Sequence, residues 1–516
     1  MPNRSTDALF VLVKSLEKGE KRNFKLYASR NYASADELKV VQLFDALDKM
    51  DSYDEALLLK KNKGIKKQQL SNLKGQLFRQ ILGSLRLIAY ESNIDMVLHE
   101  QMDHARILYN KGMYYQSLKI LDKTKELARQ HNQYTFLQQA LFFEKKIEAL
   151  YITRSMQDRA DQLSAEADTV IGTITLVSAL SNLALQLYSW YIRHGHSRNE
   201  KEAAEAQAYF NQRLGDKAVQ CNTFYEKLYL YQSYCWNHFI KQDFPQYYRY
   251  AQKWVTLFDE APHMIEVETG HYIKGMHNLM GAYFDLGKHD KLDETLQEFE
   301  RFAESPVVQR NINARILCFT YKTISRFNKH FLEGSFDEGL KMVPEIEISL
   351  KEFELYVDRH RILVFYYKIA CLYFGSGDYE KTIDYLNRII NWKVDLRTDL
   401  QCYARLLHLI AHFELGNDQI LDHLIKSVYR FMARMQNLSV VEEEIFRFLR
   451  RSFHVSVKNI NPELEKLLIK LKALRGNRFE TRAFAYLDII SWIESKLQNI
   501  PVQEVLRKKF IDYKPS

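Results

Sequence analysis

The stretch Ile369–Thr382, IACLYFGSGDYEKT, decides the fold of this chain. An apolar run of helical character ends in Tyr373-Phe374, turns through Gly377 and restarts after an Asp-Tyr pair. The same pattern occurs five times, always with a Phe three residues before the turn position, and this recurrence indicates an internal repeat. The residue ahead of the Phe alternates between His and Tyr in the five copies: His238-Phe239 before Gln242, Tyr283-Phe284 before Gly287, His330-Phe331 before Gly334, Tyr373-Phe374 before Gly377, and His412-Phe413 before Gly416.

The spacing of the turns predicts the architecture. Successive turn positions lie 39 to 47 residues apart, near Gly112, Ser155, Gly195, Gln242, Gly287, Gly334, Gly377 and Gly416. Each interval has room for two helices of roughly 15–20 residues joined by short connections. The chain contains only 8 Pro and 18 Gly, which favours long uninterrupted helices. We therefore predict an all-α fold, a superhelical solenoid of antiparallel helix pairs.

Composition excludes several classes of protein. The 32 Tyr and 30 Phe residues exclude a disordered or low-complexity chain. The five Cys residues form no Cys-x-x-Cys pair, so we expect reduced thiols in a cytoplasmic protein. The segment 169–192 contains no charged residue and is long enough to span a membrane. Polar residues such as Asn182 and Gln186 interrupt it, and we predict a buried helix and no contact with a membrane.

Charge is concentrated at the two ends of the chain. The whole chain carries a net charge of +8, to which residues 1–90 contribute +7 and residues 440–516 contribute +5, whereas the middle carries −4. We divide the chain into a basic N-terminal helical subdomain (1–93), a helical repeat array (94–439) and a C-terminal helical capping region (440–516). A solenoid needs such a cap because its last repeat would otherwise expose its core.

The turn motif resembles that of the tetratricopeptide repeat (TPR), Leu-x-x-x-Tyr-x-x-x-Gly-x-Tyr with a small or apolar residue three positions later. In the copy around Gly377, the matching residues are Ile369, Ala370, Tyr373, Gly377, Tyr379, Thr382 and Leu386. The copies around Gly112 and Gly334 match in part, through Tyr114, Ser117 and Leu121 and through Phe336 and Gly339. The period exceeds the usual 34 residues, as it also does in HEAT-type repeats. A helical subdomain followed by such an array resembles bacterial TPR regulators in outline.

No catalytic motif accompanies these repeats. The sequence has no nucleotide-binding Gly loop, no Gly-x-Ser-x-Gly elbow and no His-Glu-x-x-His. His194 and His196 have metal-ligand spacing, but no Cys or carboxylate cluster lies near them, and we interpret them as turn residues. The acids Glu442, Glu443 and Glu444 suit the start of a helix. We predict a protein that is not an enzyme and needs no metal or cofactor.

The resemblance implies a binding surface. In TPR proteins the position three before the turn Gly lies on the first helix of each pair and faces the concave groove. We therefore assign a partner-binding role to Phe239, Phe284, Phe331, Phe374, Phe413, Trp236, Lys274 and His277. Packing between repeats is the alternative interpretation of the Phe residues, and the His or Tyr ahead of each Phe matches the family's packing Tyr. A non-enzymatic scaffold or adaptor that holds a protein or peptide in the groove is the first prediction of function.

A basic stretch near the N-terminus supports an alternative function. From Lys60 to Arg86 the sequence has eight basic residues and no acidic one. Cations on a loop and the following helix are able to contact nucleic-acid phosphates. The residues for such contacts are Lys61, Lys63, Lys66, Lys67, Lys74 and Arg79. The alternative is thus a regulator whose N-terminal subdomain binds nucleic acid while the solenoid senses a ligand; a solvated helix face explains the same residues without a function.

Overall fold

A computed structural model describes residues 8–29, 35–62, 64–89, 93–150, 158–353, 356–392, 398–435, 438–452, 460–480 and 488–513. Every regular element among these residues is helical, which confirms the all-α prediction. The chain divides into two compact units, Met1–Asp168 and Thr169–Ser516. The boundaries proposed above at residues 93/94 and 439/440 stay predictions.

Unit 1 is built on a small apolar core and a run of paired helices. Phe24 and Phe44 lie in the apolar core of its N-terminal helices. Their ring centroids are 4.6 Å apart, and both side chains are almost completely buried. Its helices are α1 (Ala8–Ser15), α2 (Lys18–Ser29), α3 (Ala35–Asp48), α4 (Glu55–Lys61), α5 (Lys67–Ala89), α6 (Ile94–Asn110), α7 (Tyr114–Gln130), α8 (Tyr134–Leu150) and the start of α9 (Arg159–His194).

Unit 2 contains the five copies of the Phe motif. Successive helices pack on each other, and α14 also packs on the first helix of the next pair, an arrangement compatible with a helical-repeat solenoid. After α9 its helices are α10 (Glu200–Leu214), a 3₁₀ helix (Gly215–Gln220), α11 (Phe224–Ile240), α12 (Phe244–Glu260), α13 (Met264–Val267), α14 (Thr269–Asp285), α15 (His289–Ala303), α16 (Pro306–Gln309), α17 (Ile312–Glu333), α18 (Phe336–Leu340), α19 (Val343–Glu352), α20 (Arg359–Ser376), α21 (Tyr379–Ile390), α22 (Thr398–Glu414), α23 (Asp418–Arg434), α24 (Val440–Ser452), α25 (Asn461–Leu474), α26 (Ile489–Gln498) and α27 (Val502–Tyr513).

The predicted turns share one backbone geometry. All five turn positions after the Phe residues adopt left-handed φ angles, from +57° at Gln242 to +88° at Gly377. In four of the turns the amide of the turn residue donates to the carbonyl of the Phe, whereas the amide of Gly334 donates to the carbonyl of His330. In all five the next amide donates to the carbonyl of the residue before the Phe, as Asp378 does to Tyr373 at 2.9 Å. These bonds satisfy the last carbonyls of the helix, and a left-handed residue is needed to form them. The same angle occurs at Gly112 and Gly195, whereas Ser155 lies outside the described residues.

The His residues that precede the Phe in three of the five copies contact the turns. His330 Nδ1 lies 2.7 Å from Ser335 Oγ, and His412 Nδ1 lies 2.9 Å from Asn417 Nδ2. In each case the partner is the residue just before the next helix, five positions after the His. His238 Nδ1 also lies near such a residue, 3.3 Å from Asp243 Oδ2, but forms no hydrogen bond there. His330 and His412 therefore tie the end of one helix to the start of the next, in agreement with the packing role expected for this position.

Helix α9 departs from the two-helix expectation. The interval that ends at Gly195 holds one helix of 36 residues, Arg159–His194, so the prediction of a helix pair is wrong here. Apolar residues continue through the segment without a Pro, and nothing ends the helix before Gly195.

The apolar window of α9 is long enough to cross a membrane by length and composition, but only 28% of it is buried. Leu180, Leu183 and Leu187 pack on the unit 2 core, while Leu185 is 65% exposed. A helix buried on all sides was therefore a wrong expectation, since only one face is covered.

Candidate functional site

A large cavity lies in unit 2, with a volume of about 1320 Å³. Its walls come mainly from one face of each of five helices, α9, α11, α14, α17 and α20, and its end comes from the C-terminal helices. On α14 the lining residues recur at helical spacing, from Lys274 through His277 and Gly281 to Phe284. Residues three and four apart share one helix face, so each helix presents a continuous strip to the cavity.

Lys274 brings a positive charge to the aromatic part of the cavity. Its Nζ lies 5.5 Å from the ring centre of Tyr188 and 5.6 Å from that of Trp236. Aromatic faces attract cations, and more strongly where water is excluded. Burial lowers the pKa of Lys274, and the charge of Arg361 lowers it further. Among the described residues no carboxylate lies within 4.0 Å of this amine, so its charge is balanced only by ring faces.

His277 stacks flat on Tyr321, with ring centroids 3.9 Å apart and planes 8° apart. Burial lowers the pKa of His277 to about 3, and the charges of Arg361, Lys274 and Lys368 lower it further, so the imidazole is neutral at physiological pH. Its Nδ1 is buried without a hydrogen-bond partner among the described residues. A buried polar atom without a partner is costly, so a ligand group that bonds to it would be favoured.

Arg361 completes this part of the wall. Its guanidinium lies 5.6 Å from the ring centre of Tyr321, and its Nε pairs with Asp358 at 3.2 Å. Arg361 also depresses the pKa values of both Lys274 and His277. The three side chains therefore share one positive electrostatic environment.

The five Phe residues that precede the turns, Phe239, Phe284, Phe331, Phe374 and Phe413, are called the Phe ladder. Lys368 lies deeper in the cavity, between two of them. Its Nζ donates to Asn328 Oδ1 at 2.7 Å and lies 5.1 Å and 5.8 Å from the ring centres of Phe331 and Phe284. The side chain is only 2% exposed. Burial lowers the pKa of Lys368 to about 7. Burial also raises the pKa of the neighbouring Asp285 to about 7, against the opposing effect of Lys368.

The structure divides the predicted Phe ladder. Phe239, Phe284 and Phe331 line the cavity, as do Trp236, Lys274 and His277. Phe374 is fully buried in the core instead, where its ring meets the edge of Tyr379 at 5.2 Å. Phe413 packs on Phe448 and Trp492 and does not line the cavity. Three of the five Phe residues therefore line the cavity, whereas Phe374 lies in the core and Phe413 packs on the later helices α24 and α26.

The predicted nucleic-acid residues differ in their surroundings. Lys61, Lys66, Lys67 and Arg79 are exposed, and Lys63 lies outside the described residues. Lys74 is half-buried against the ring of Tyr53, whose hydroxyl it contacts, and lies 3.8 Å from Glu55.

The His pair and the run of Glu residues considered above make local contacts within the fold. His196 Nδ1 lies 2.7 Å from the carbonyl oxygen of Phe239, while His194 packs on Trp190. Glu442 lies in the first turn of α24 and accepts the amide of Ser439. His196 also lines the cavity, whereas His194 and Glu442 do not.

Sequence reasoning missed the part of the site contributed by α17 and α20. Asn328, Arg361 and Lys368 reach the cavity because each lies at helical spacing from a ladder Phe or from a residue facing it. Lys368 is six residues before Phe374, and a charged residue inside an otherwise apolar helix was the available signal. A single cation in an apolar run does not by itself reveal which face is buried.

Comparison with known proteins adds no identity. No protein-family model matches the sequence, and no curated protein is similar to it. Fold alone does not imply function, so a function for this chain has to be argued from the chemistry of the cavity.

Proposed function

We propose that unit 2 is a TPR-like solenoid that binds a peptide, or a segment of a protein, in its central cavity and performs no chemistry on it. The observation that carries this proposal is the pair of cations on the cavity wall, Lys274 and Arg361, set among aromatic rings, with Lys368 deeper in the cavity and partly charged near pH 7. The ligand that suits such a wall carries an acidic side chain or a terminal carboxylate next to apolar groups.

The size of the cavity supports a ligand of several residues. Pockets for drug-sized molecules have volumes of about 300–1,000 Å³, and this cavity measures about 1320 Å³. Its walls are helices whose side chains are fixed by packing, so little conformational entropy is lost on their side when a ligand binds. Tyr, Trp and Arg are the residues that most often contribute strongly to binding.

The charges support an anionic ligand. Arg361, Lys274 and Lys368 all lower the pKa of His277, so each cation destabilises a further positive charge in the cavity. A ligand carboxylate would relieve this repulsion and accept hydrogen bonds from ammonium or guanidinium groups. Such charge-assisted bonds are about twice as strong as neutral ones.

A selection experiment tests the proposal. A phage library of random dodecapeptides is panned on the protein, and the enriched peptides are synthesised with a fluorescein label. We expect acidic peptides with apolar neighbours, whose affinity falls about tenfold with Lys274→Ala and again with Arg361→Ala, the equivalent of about 1.4 kcal/mol each.

Lys381→Ala is the matched control. Lys381 also lies over an aromatic ring, that of Tyr373 at 5.2 Å, but it is exposed and outside the cavity. Its replacement should leave the affinity unchanged. A library that yields no binding peptide, or peptides that bind the parent, K274A and R361A equally well, would contradict the proposal.

Nucleic-acid binding by unit 1 is a second candidate, supported by the exposure of Lys61, Lys66, Lys67 and Arg79. None of these four forms an ion pair among the described residues. The apolar side chains of Phe78 and Leu82 are also exposed on α5, which distinguishes this surface from a uniformly basic one.

Salt dependence tests this second candidate. If the cluster binds phosphates, the triple replacement of Lys61, Lys66 and Lys67 by Glu should abolish binding of a labelled duplex DNA, and parent affinity should fall by about one log-log slope unit per phosphate contacted. Lys123→Glu, on exposed α7 surface, is the control. Absence of binding by the parent at low salt would remove this candidate.

A further inference from the structure

The C-terminal helix α27 closes one end of the cavity. Leu506, Lys509 and Phe510 line it together with residues of α14, α17 and α20. The ring of Phe510 meets that of His289 edge-on at 4.6 Å. The helix thus folds back, across more than 160 residues of sequence, onto repeats in the middle of unit 2.

The backbone of α27 packs directly against Gly334. A Cβ at this position would lie 2.8 Å from Leu506 Cβ and 2.9 Å from the backbone nitrogen of Arg507 and from the backbone oxygen of Gln503. The φ angle of Gly334 is +67°, so this glycine serves two purposes. It ends α17 in a left-handed turn, and it lets the backbone of α27 lie directly on that turn.

Polar contacts hold the exposed side of α27. Arg507 Nη2 lies 2.9 Å from both carboxylate oxygens of Glu338, and Gln503 donates to Asp337 at 2.9 Å. In the described part of α27, Val502 and Val505 are buried and Leu506 is partly buried against the core, whereas the preceding helix α26 buries Ile489, Ile490, Trp492 and Ile493. Lys509 of α27 also pairs with Glu494 of α26 at 2.7 Å.

These contacts make α27 easier to detach than the helices around it. Exposed ion pairs contribute little to stability, and elements with few buried apolar contacts open locally at low free-energy cost. The helices from α17 to α26 share one large apolar cluster, to which α27 contributes only Val502 and, at the edge, Leu506.

We propose that α27 is a displaceable end wall that detaches from the turn at Gly334 to admit the ligand and docks again to enclose it. This inference rests on the proposed function, since a gate has a role only if the cavity takes a ligand. The opening equilibrium of α27 sets the rate at which the ligand enters the cavity.

The first test measures opening without any ligand. Amide hydrogen exchange is followed in the parent, in Arg507→Glu, and in the charge-reversed pair Arg507→Glu with Glu338→Arg. We expect R507E to speed exchange in α27 about three- to tenfold, because an attraction becomes a repulsion, and the reversed pair to restore the parent rate. Exchange in α26 should stay unchanged.

The second test measures access to the cavity. Ile324 lines it, and Ile324→Cys is labelled with a polymer-bearing maleimide too bulky for narrow openings, with the rate of the parent cysteines subtracted. Labelling should accelerate in the R507E background and return to its original rate in the reversed pair. Lys381→Cys, outside the cavity, should react at one rate in all three backgrounds.

The outcomes separate the two proposals. Equal labelling of Ile324→Cys in all backgrounds, or acceleration that the reversed pair does not undo, would overturn the gate, whatever peptides bind. Failure of the peptide selection would overturn the proposed function but would not alter these exchange and labelling rates.

Discussion

Phe374→Ala should lower the free energy of unfolding by about 3–5 kcal/mol, the cost of removing a buried Phe ring. Phe374 is fully buried and does not line the cavity. Phe284→Ala is the matched variant, because Phe284 occupies the same position of its repeat but lines the cavity. It should cost less than about 2 kcal/mol, since much of the removed surface faces open space.

Urea unfolding followed by circular dichroism measures this difference. The two variants should differ in the opposite sense in their affinity for the peptides recovered by selection. F284A should bind them more weakly by 1 kcal/mol or more, whereas F374A should bind at parent strength wherever it is folded. Equal losses of stability in the two variants would mean that the five Phe residues play one common packing role.

Lys368 and Asp285 should change the stability of unit 2 with pH in opposite directions. The folded-state pKa of Lys368 is about 7, whereas an unfolded Lys titrates near 10.4. Between these values the unfolded chain holds more protons, so the free energy of unfolding rises with pH. The folded-state pKa of Asp285 is also about 7, against about 3.9 when unfolded. Between about pH 4 and pH 7 the folded chain therefore holds the extra proton, and stability falls as pH rises.

Two variants separate these contributions. Lys368→Met should remove the rise above pH 7, which has a limiting slope of about 1.4 kcal/mol per pH unit. Asp285→Asn should remove the fall below pH 7. Stability is measured by urea unfolding from about pH 5 to pH 9, and the parent is subtracted from each variant so that other titrating groups cancel. Differences that do not change with pH would show that neither group is desolvated in solution.

The local sequence determined the helices and the turns between them. A Phe three residues before a Gly or Gln predicted where each first helix of unit 2 ends, and the left-handed φ angles at Gln242, Gly287 and Gly377 confirm those ends. This succeeded because a helix end is a local event, fixed by backbone angles and by hydrogen bonds within six residues. The resemblance to TPR proteins assigned Trp236, Lys274 and His277 to a binding groove, and these three residues line the cavity.

Tertiary structure decided which of the repeated residues face open space. Phe284 and Phe374 have the same local sequence context, yet one lines the cavity and the other is core. Later parts of the chain pack on the last repeats, as Trp492 does on Phe413, and α27 reaches Gly334 from a distant part of the sequence. Helical periodicity specifies a face but not what lies opposite it. Contacts over long sequence separation therefore determined the cavity, its buried Lys368 and its end wall.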